Sequence, residues 1–309
     1  MTVKSRKRFA LDAVIRPTRF LLQGDQLDDV QRILRRFAPR WCERARRWRS
    51  TSDQIPVDLG NLGAIEGLIR AERERVESSP VAKALTVEMQ AQGLQSPKPS
   101  FVGSIELRGS DDSLTVIVHA NEHVIAPSAG RWIFGNRIVL QLRRSKVEGQ
   151  DAVTWSAKVF EALCAALSPL HGDVHSYDEY HAKNMSHEGG GLQAVGVDAS
   201  KYLPGLYWLN FFGRSYCDFI GQKRLLSAPA PEVHALDAGV FLRLADDPRS
   251  WPTPAYQSAE SSVLDHLGRQ YFFSKQEPHR RTIAPSFDLP QSSVECFSAG
   301  PSHRGAGRK

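Results

Sequence analysis

The stretch YLPGLYWLNFFGRSYCDFIGQKRLLSAP, residues 202–229, constrains the fold more than any other part of the chain. It holds Tyr202, Tyr207, Trp208, Phe211, Phe212, Tyr216 and Phe219. As a strand it places Tyr207, Leu209 and Phe211 on one face and Trp208, Asn210 and Phe212 on the other. Apolar residues on both faces predict a central strand covered on both sides. Core packing accounts for most of these aromatics, which leaves Tyr202 and Arg214 at the ends as candidates for binding.

The rest of the chain alternates strand and helix patterns without a βαβ rhythm. Phe9, Leu11, Ala13 and Ile15 alternate as a strand that ends before Pro17. Residues 25–37 predict a helix. Its acids (Asp25, Asp28, Asp29) lie in the first turn and its arginines (Arg32, Arg35, Arg36) in the last, an order that suits the helix dipole. Pro39 is a stop signal. Asn61 is expected to cap a second helix to Glu77, with Leu62, Ile65, Leu68 and Ile69 inward. Residues 90–100 form a polar connection. Residues 101–107, 114–119 and 137–142 then predict a strand meander, and residues 152–167 a helix. Further strands are expected at 174–177 and 206–211. Residues 214–220 predict a short helix ended by Gly221. Residues 233–236 and 239–244 predict a hairpin turning near Asp237-Ala238. Thr253 and Pro254 open a last helix to Leu267, and 271–273 a final strand. No internal repeat appears.

These elements predict an α+β fold, a mixed and largely antiparallel sheet with about five helices packed on it. One domain is expected over residues 9–275, between a flexible basic tail, 1–8, and a disordered tail, 276–309, too poor in apolar residues to fold alone.

No apolar run approaches the roughly 18 residues of a membrane span. Asp12 and Arg16 interrupt the apolar run after the first cations, so no secretory signal and a cytoplasmic location are expected. Cys42, Cys164, Cys217 and Cys296 are far apart and read as free, mostly buried thiols. The net charge of +6 is front-loaded: residues 1–50 hold 14 Lys and Arg against 5 Asp and Glu. That excess is either a solvated face or an electrostatic patch. No Phe or Tyr interleaves these arginines in a stacking pattern and no named nucleic-acid motif appears, so nucleic acid is not the expected partner.

Residues 171–188, HGDVHSYDEYHAKNMSHE, concentrate histidines and carboxylates. His171, Asp173 and His175 share one face of a strand, which raises a metal-dependent hydrolase as the alternative function. The segment has no HExxH spacing, and a polar rim at a strand end is the plainer reading. There is no GxSxG elbow. Gly189-Gly190-Gly191 lacks the Lys-Ser or Lys-Thr of a phosphate loop and reads as a turn. Cys217 reads as a structural thiol. Asp111-Asp112 and Asp246-Asp247 read as turn residues. No catalytic, cofactor-binding or metal residue is assigned.

Three blocks resemble one family. They are RRFAPRWCERARRW leading to PVDLGNLGAIEGLI, then SFVGSIELRG with SLTVIVHA and NRIVLQL, and then LPGLYWLNFFGRSYCDFIG with RLLSAP and AGVFLRLADDP. In these the chain resembles the bacterial polymorphic-toxin immunity proteins, most closely the immunity protein 52 family, over roughly residues 9–275. The basic first 50 residues and the C-terminal tail depart from it. The resemblance implies a cytoplasmic, non-enzymatic protein without a cofactor. Such a protein binds a cognate toxin, delivered by contact-dependent or type VI-like secretion and encoded beside it, and occludes its active site. If the toxin has a basic cleft, the expected contact residues are Asp173, Asp178, Glu179 and Glu188. If the basic face is used instead, the toxin surface should be acidic.

Overall fold

In a computed structural model, the described residues are 10–17, 21, 22, 24–50, 53–80, 87, 103–110, 113–120, 124–126, 131–133, 136–188, 191–196 and 201–285. The expectations for residues 1–9, 90–100, 111–112, 189–190 and 286–309, and for Cys296, fall outside them.

Ten strands form one sheet in which every pairing is antiparallel. They are β1 (Leu11–Arg16), β2 (Arg46–Ser50), β3 (Asp53–Pro56), β4 (Gly103–Arg108), β5 (Leu114–Ala120), β8 (Arg137–Leu142), β11 (His171–Ser176), β14 (Leu209–Gly213), β15 (Glu232–Leu236) and β16 (Gly239–Arg243). Their order is β15-β16-β14-β11-β1-β8-β5-β4-β2-β3. The remaining strands make small hairpins: β6 (Val124–Ala126) with β7 (Arg131–Ile133), β9 (Lys146–Val147) with β10 (Gln150–Asp151), and β12 (Met185–Glu188) with β13 (Gly191–Ala194). The class is α+β, as the sequence predicts.

One face of the sheet carries α1 (Gln26–Phe37), α3 (Ala64–Glu77) and α4 (Ala152–Leu167). Their inward residues, among them Leu27, Val30, Leu34, Ile65, Ile69, Trp155, Phe160 and Leu163, join Ala13, Ile15, Leu140, Val116, Leu107, Val174, Leu209 and Phe211 in one buried core. The start of α4 is both capped and tied. The Asp151 carboxylate accepts from Val153 N and Thr154 N and caps α4, and Trp155 Nε1 donates to Phe37 O at 2.8 Å, joining α4 to α1. Gly172 allows α4 to sit close, because a Cβ there would stand 2.9 Å from the Phe160 ring.

The opposite face is covered at the β14–β16 end. There Phe212, Val240 and Leu242 pack with Tyr216, Ile220, Leu225, Tyr256, Val263 and Leu267. These come from α6 (Arg214–Tyr216), the π-helical segment Cys217–Gly221, α7 (Gln222–Leu226) and α8 (Pro254–Leu267). β14, third in the sheet order, is therefore the twice-covered strand that the aromatic stretch predicts. Cys42, Cys164 and Cys217 are free and buried.

Local differences from expectation have visible causes. The strand of the aromatic stretch starts at Leu209, because Asn210 folds back on residue 207: Tyr207 N donates to Asn210 Oδ1 (2.9 Å) and Asn210 Nδ2 to Tyr207 O (2.7 Å). Asn61 does not cap α3. Its side-chain amide donates to Asp58 Oδ2 at 2.7 Å, the helix begins after left-handed Gly63 (φ 81°), and Leu62 is exposed. Pro39 ends α1 and also opens α2 (Pro39–Glu43). Gly221 has the expected positive φ (103°), yet the chain runs on into α7. The 271–273 strand reduces to one bridge between Leu203 and Phe272, next to a 3-10 turn at Arg269–Tyr271. Past residue 275 the chain still bonds to the body, with Arg280 Nη2 donating to Phe272 O (3.1 Å) and Ile283 N to Gln270 O (3.0 Å).

Phe160→Ala removes the ring that fills the space between α4, Gly172 and Phe241. We expect a loss of about 3–5 kcal/mol in urea unfolding; a change under about 1 kcal/mol would mean that α4 does not close the core as described.

Candidate functional site

The histidine- and carboxylate-rich segment forms β11, then α5 (Tyr177–Asn184), then β12. Ser176 caps α5 by accepting from Glu179 N, with Asp178 and Glu179 in the first turn and His181 and Lys183 in the last. On β11, His171, Asp173 and His175 share the face away from α4, as the alternation requires. Arg16, Val14 and Asp12 of β1 lie directly opposite them.

Arg16 organises this face. Its Nη1 donates to Asp173 Oδ1 at 2.6 Å and to His171 Nδ1 at 3.2 Å. His175 Nδ1 donates to the other carboxylate oxygen at 2.8 Å, and its ring stacks on Tyr180 and leans on Tyr207. Asp173 is 1% exposed. Burial alone would raise its pKa, but Arg16 and the hydrogen bond from His175 outweigh burial and hold the carboxyl well below the ordinary range. Burial, then Arg16, push His171 down to about 3, so it is neutral. With Nδ1 accepting, its proton lies on Nε2, which is buried without a hydrogen-bond partner and meets Phe212 and Tyr216 edge-on.

A second cluster holds α5 from the other side. Glu179 is fully buried, and its Oε1 accepts from Lys183 Nζ and from the Tyr256 hydroxyl, each at 2.8 Å. Lys183 also reaches Glu260 Oε1 (2.8 Å) and Leu206 O (2.6 Å), so its three N–H donors have three acceptors. Asn184 accepts from the Tyr207 hydroxyl and donates to Val195 O (3.0 Å) and Pro204 O (2.9 Å).

The acidic contact face expected from sequence therefore does not assemble. Asp173 and Glu179 lie beneath the surface with their carboxylates engaged internally. Asp178 is exposed at the start of α5. Glu188 ends β12, and its side chain lies outside the described part. Nor do His171, Asp173 and His175 converge on an open position, since the cation beside Asp173 is the Arg16 guanidinium. Among the described residues, no three His, Cys, Asp or Glu side chains are grouped to hold one metal ion. Of the smaller expectations, Asp247 is a turn residue that accepts from Arg249 N. Arg214 is exposed, and Tyr202 is half-buried with its ring 5.2 Å from that of Phe273.

Apart from Arg36, which lies over the Phe37 ring, the described cations of the first 50 residues divide into two sets. One set is paired internally: Arg16 with Asp173, Arg32 with Asp29, and Arg47 and Arg49 with Glu72. Hydrogen bonding from Arg75, against burial and together with Arg47 and Arg49, brings Glu72 down to about 2. The other set is exposed around α2: Arg35, Arg40, Arg44 and Arg46. Two grooves meet there. One of about 820 Å³ is lined by Arg35, Pro39, Arg44, Arg46, Pro56 and Val57 among others, and one of about 420 Å³ by Arg40, Arg44, Arg144, Lys146 and Glu148 among others.

No protein-family model matches this sequence. No curated protein matches it either. Among solved structures, the chain is similar to a Pseudomonas aeruginosa T6SS protein, at 12% identity over 82% of this chain and 77% of that one, with a TM-score of 0.41. No helix among the described residues is long and apolar enough to cross a membrane.

Charge reversal separates the two first-turn acids of α5. Glu179→Lys leaves Lys183 and the Tyr256 hydroxyl facing a buried cation, and a loss of about 3 kcal/mol or more in urea unfolding is expected. Asp178→Lys is expected to cost about 1 kcal/mol or less. Equal effects would contradict the burial of Glu179.

The cluster also sets an acid response. His171, held at about 3, stays neutral in the fold, whereas the unfolded chain protonates it near 6.5. His119 behaves alike, at about 4 through burial and Arg137. Stability is therefore full above pH 6.5 and falls as pH drops below it; Asp173, with its depressed pKa, adds to the loss below its ordinary value of 3.8. Thermal melts from pH 7 to 4 should show this fall, and His171→Gln should flatten it. An unchanged slope would show that His171 protonates freely in the fold.

Proposed function

We propose that the chain is a non-enzymatic immunity protein that binds a cognate secreted bacterial toxin and occludes its active site. The observation that carries this reading is the distribution of the three blocks resembling the immunity protein 52 family. They supply the end of α1, α2, most of β2 and the first part of α3, the adjacent strands β4, β5 and β8, and β14 and β16 towards the other edge of the sheet. The likeness thus touches both halves of the sheet rather than one local motif, with β1, β11 and α4 outside the blocks. The neighbourhood of Asp173 supports binding over hydrolysis, because its carboxylate and both flanking histidines are held by one another and by Arg16. Surface charge that is unpaired among the described residues suits occlusion of a partner, which commonly takes about 800 Å² from each side. With Asp173 and Glu179 buried, the contact surface moves away from the acidic segment.

The test is co-expression with the product of the neighbouring gene. Rescue of growth and a complex that survives gel filtration are expected. A toxic neighbour that this chain neither binds nor neutralises would overturn the assignment of that pair.

A further inference from the structure

The two grooves beside α2 share Arg44 and Ser110, so they form one continuous surface at the β3 end of the sheet. Around it stand Arg35, Arg40, Arg44, Arg46, Arg144 and Lys146, all exposed. Of these, Arg35 donates to a main-chain carbonyl, that of Gly60, at 3.0 Å. Among the described residues the six make no ion pair, whereas Arg16, Arg47, Arg75, Arg243, Arg249 and Arg269 each do. Three carboxylates line the same surface. Two are held by the chain itself: Glu148 accepts from Trp41 N at 2.6 Å and Asp58 from Gly60 N at 2.8 Å. Glu43 is exposed.

The surface is pre-formed. Trp41 is buried, its Nε1 donates to Leu114 O at 2.8 Å, and its indole lies so close to Gly109 that a Cβ there would overlap it. This pins α2 to β5 and fixes the direction in which Arg40 and Arg44 project. Between the cations the lining is apolar, from Pro39, Ala45, Pro56 and Val57.

We propose that this surface docks an acidic segment of a protein partner, with carboxylates meeting the unpaired cations and an apolar side chain entering between Pro39 and Pro56. Nucleic acid fits less well. Trp41, the aromatic in the lining, is buried and unable to stack on a base. Charge complementarity of this kind raises the rate of encounter and restricts the choice of partner. The proposal rests on the immunity reading for the partner's identity, and on the surface alone for the partner's chemistry.

The test titrates the full chain with a labelled peptide rich in Asp, Glu and Leu, and with a DNA oligonucleotide of matched charge, across a salt series. The test variant combines Arg40→Glu, Arg44→Glu and Arg144→Glu. A control combines Lys158→Glu, Lys223→Glu and Arg224→Glu, exposed positions elsewhere; circular dichroism checks that both fold. The expected result is peptide binding that the groove variant weakens by roughly tenfold or more, that the control leaves nearly unchanged, and that exceeds DNA binding. Equal loss in both variants reduces the effect to net charge and overturns the assignment. Tighter binding of DNA overturns it in favour of a nucleic-acid surface, and no peptide binding overturns it outright. Failure of the neighbouring gene product to be neutralised bears on the immunity reading and leaves these outcomes standing.

Discussion

Arg16 and Asp173 bring opposite charges into the middle of a ten-stranded sheet, on adjacent strands 157 residues apart in the chain. Either charge alone at that depth would be strongly destabilising, and the pair is tolerated because each oxygen of Asp173 has a donor. Arginine suits the position, since its guanidinium keeps its charge when buried and serves His171 as well. Burial lowers its pKa, and Asp173 more than restores it. The pair fixes β1 against β11, and β11 leads into α5. The direction of α5 determines where Glu179 and Lys183 meet Tyr256 and Glu260 of α8. The helix layer over β14 and β16 is thus joined to the first strand through a chain of charged contacts.

This arrangement explains why a segment rich in potential ligands carries no open site. His171, Asp173, His175 and Glu179 fill the space between the central sheet and α5 and α8, where apolar side chains would ordinarily pack. Each of these side chains has at least one polar partner, and the pairs hold one geometry. At the far end of the sheet, the cations around α2 make no ion pair among the described residues.

Much of the fold is legible in the sequence because it depends on local pattern. The Leu27, Val30 and Leu34 stripe, the apolar alternation of 114–119 and 137–142, the helix over 152–167 and the turn at Asp237-Ala238 all need only neighbours in sequence. The departures depend on distant or side-chain events. Asn61 is diverted by Asp58, Asn210 folds onto residue 207, and Tyr271–Phe273 finds a single bridging partner in Leu203. The candidate site was less legible for the same reason. His171, Asp173 and His175 sharing a face follows from alternation, but the burial of Asp173 depends on Arg16, and that of Glu179 on Tyr256 and Lys183. Within α5 the sequence does carry a cue, as Lys183 lies one helical turn after Glu179. The front-loaded charge was visible as a sum; its division into paired and unpaired arginines required the fold.

The most direct measurement of where this protein acts is hydrogen–deuterium exchange on the full chain, free and bound to the product of the neighbouring gene. The account predicts slowed exchange in residues 39–46 and 144–149, with α5 unchanged. Protection confined to residues 177–188, with the α2 region unaffected, would contradict it.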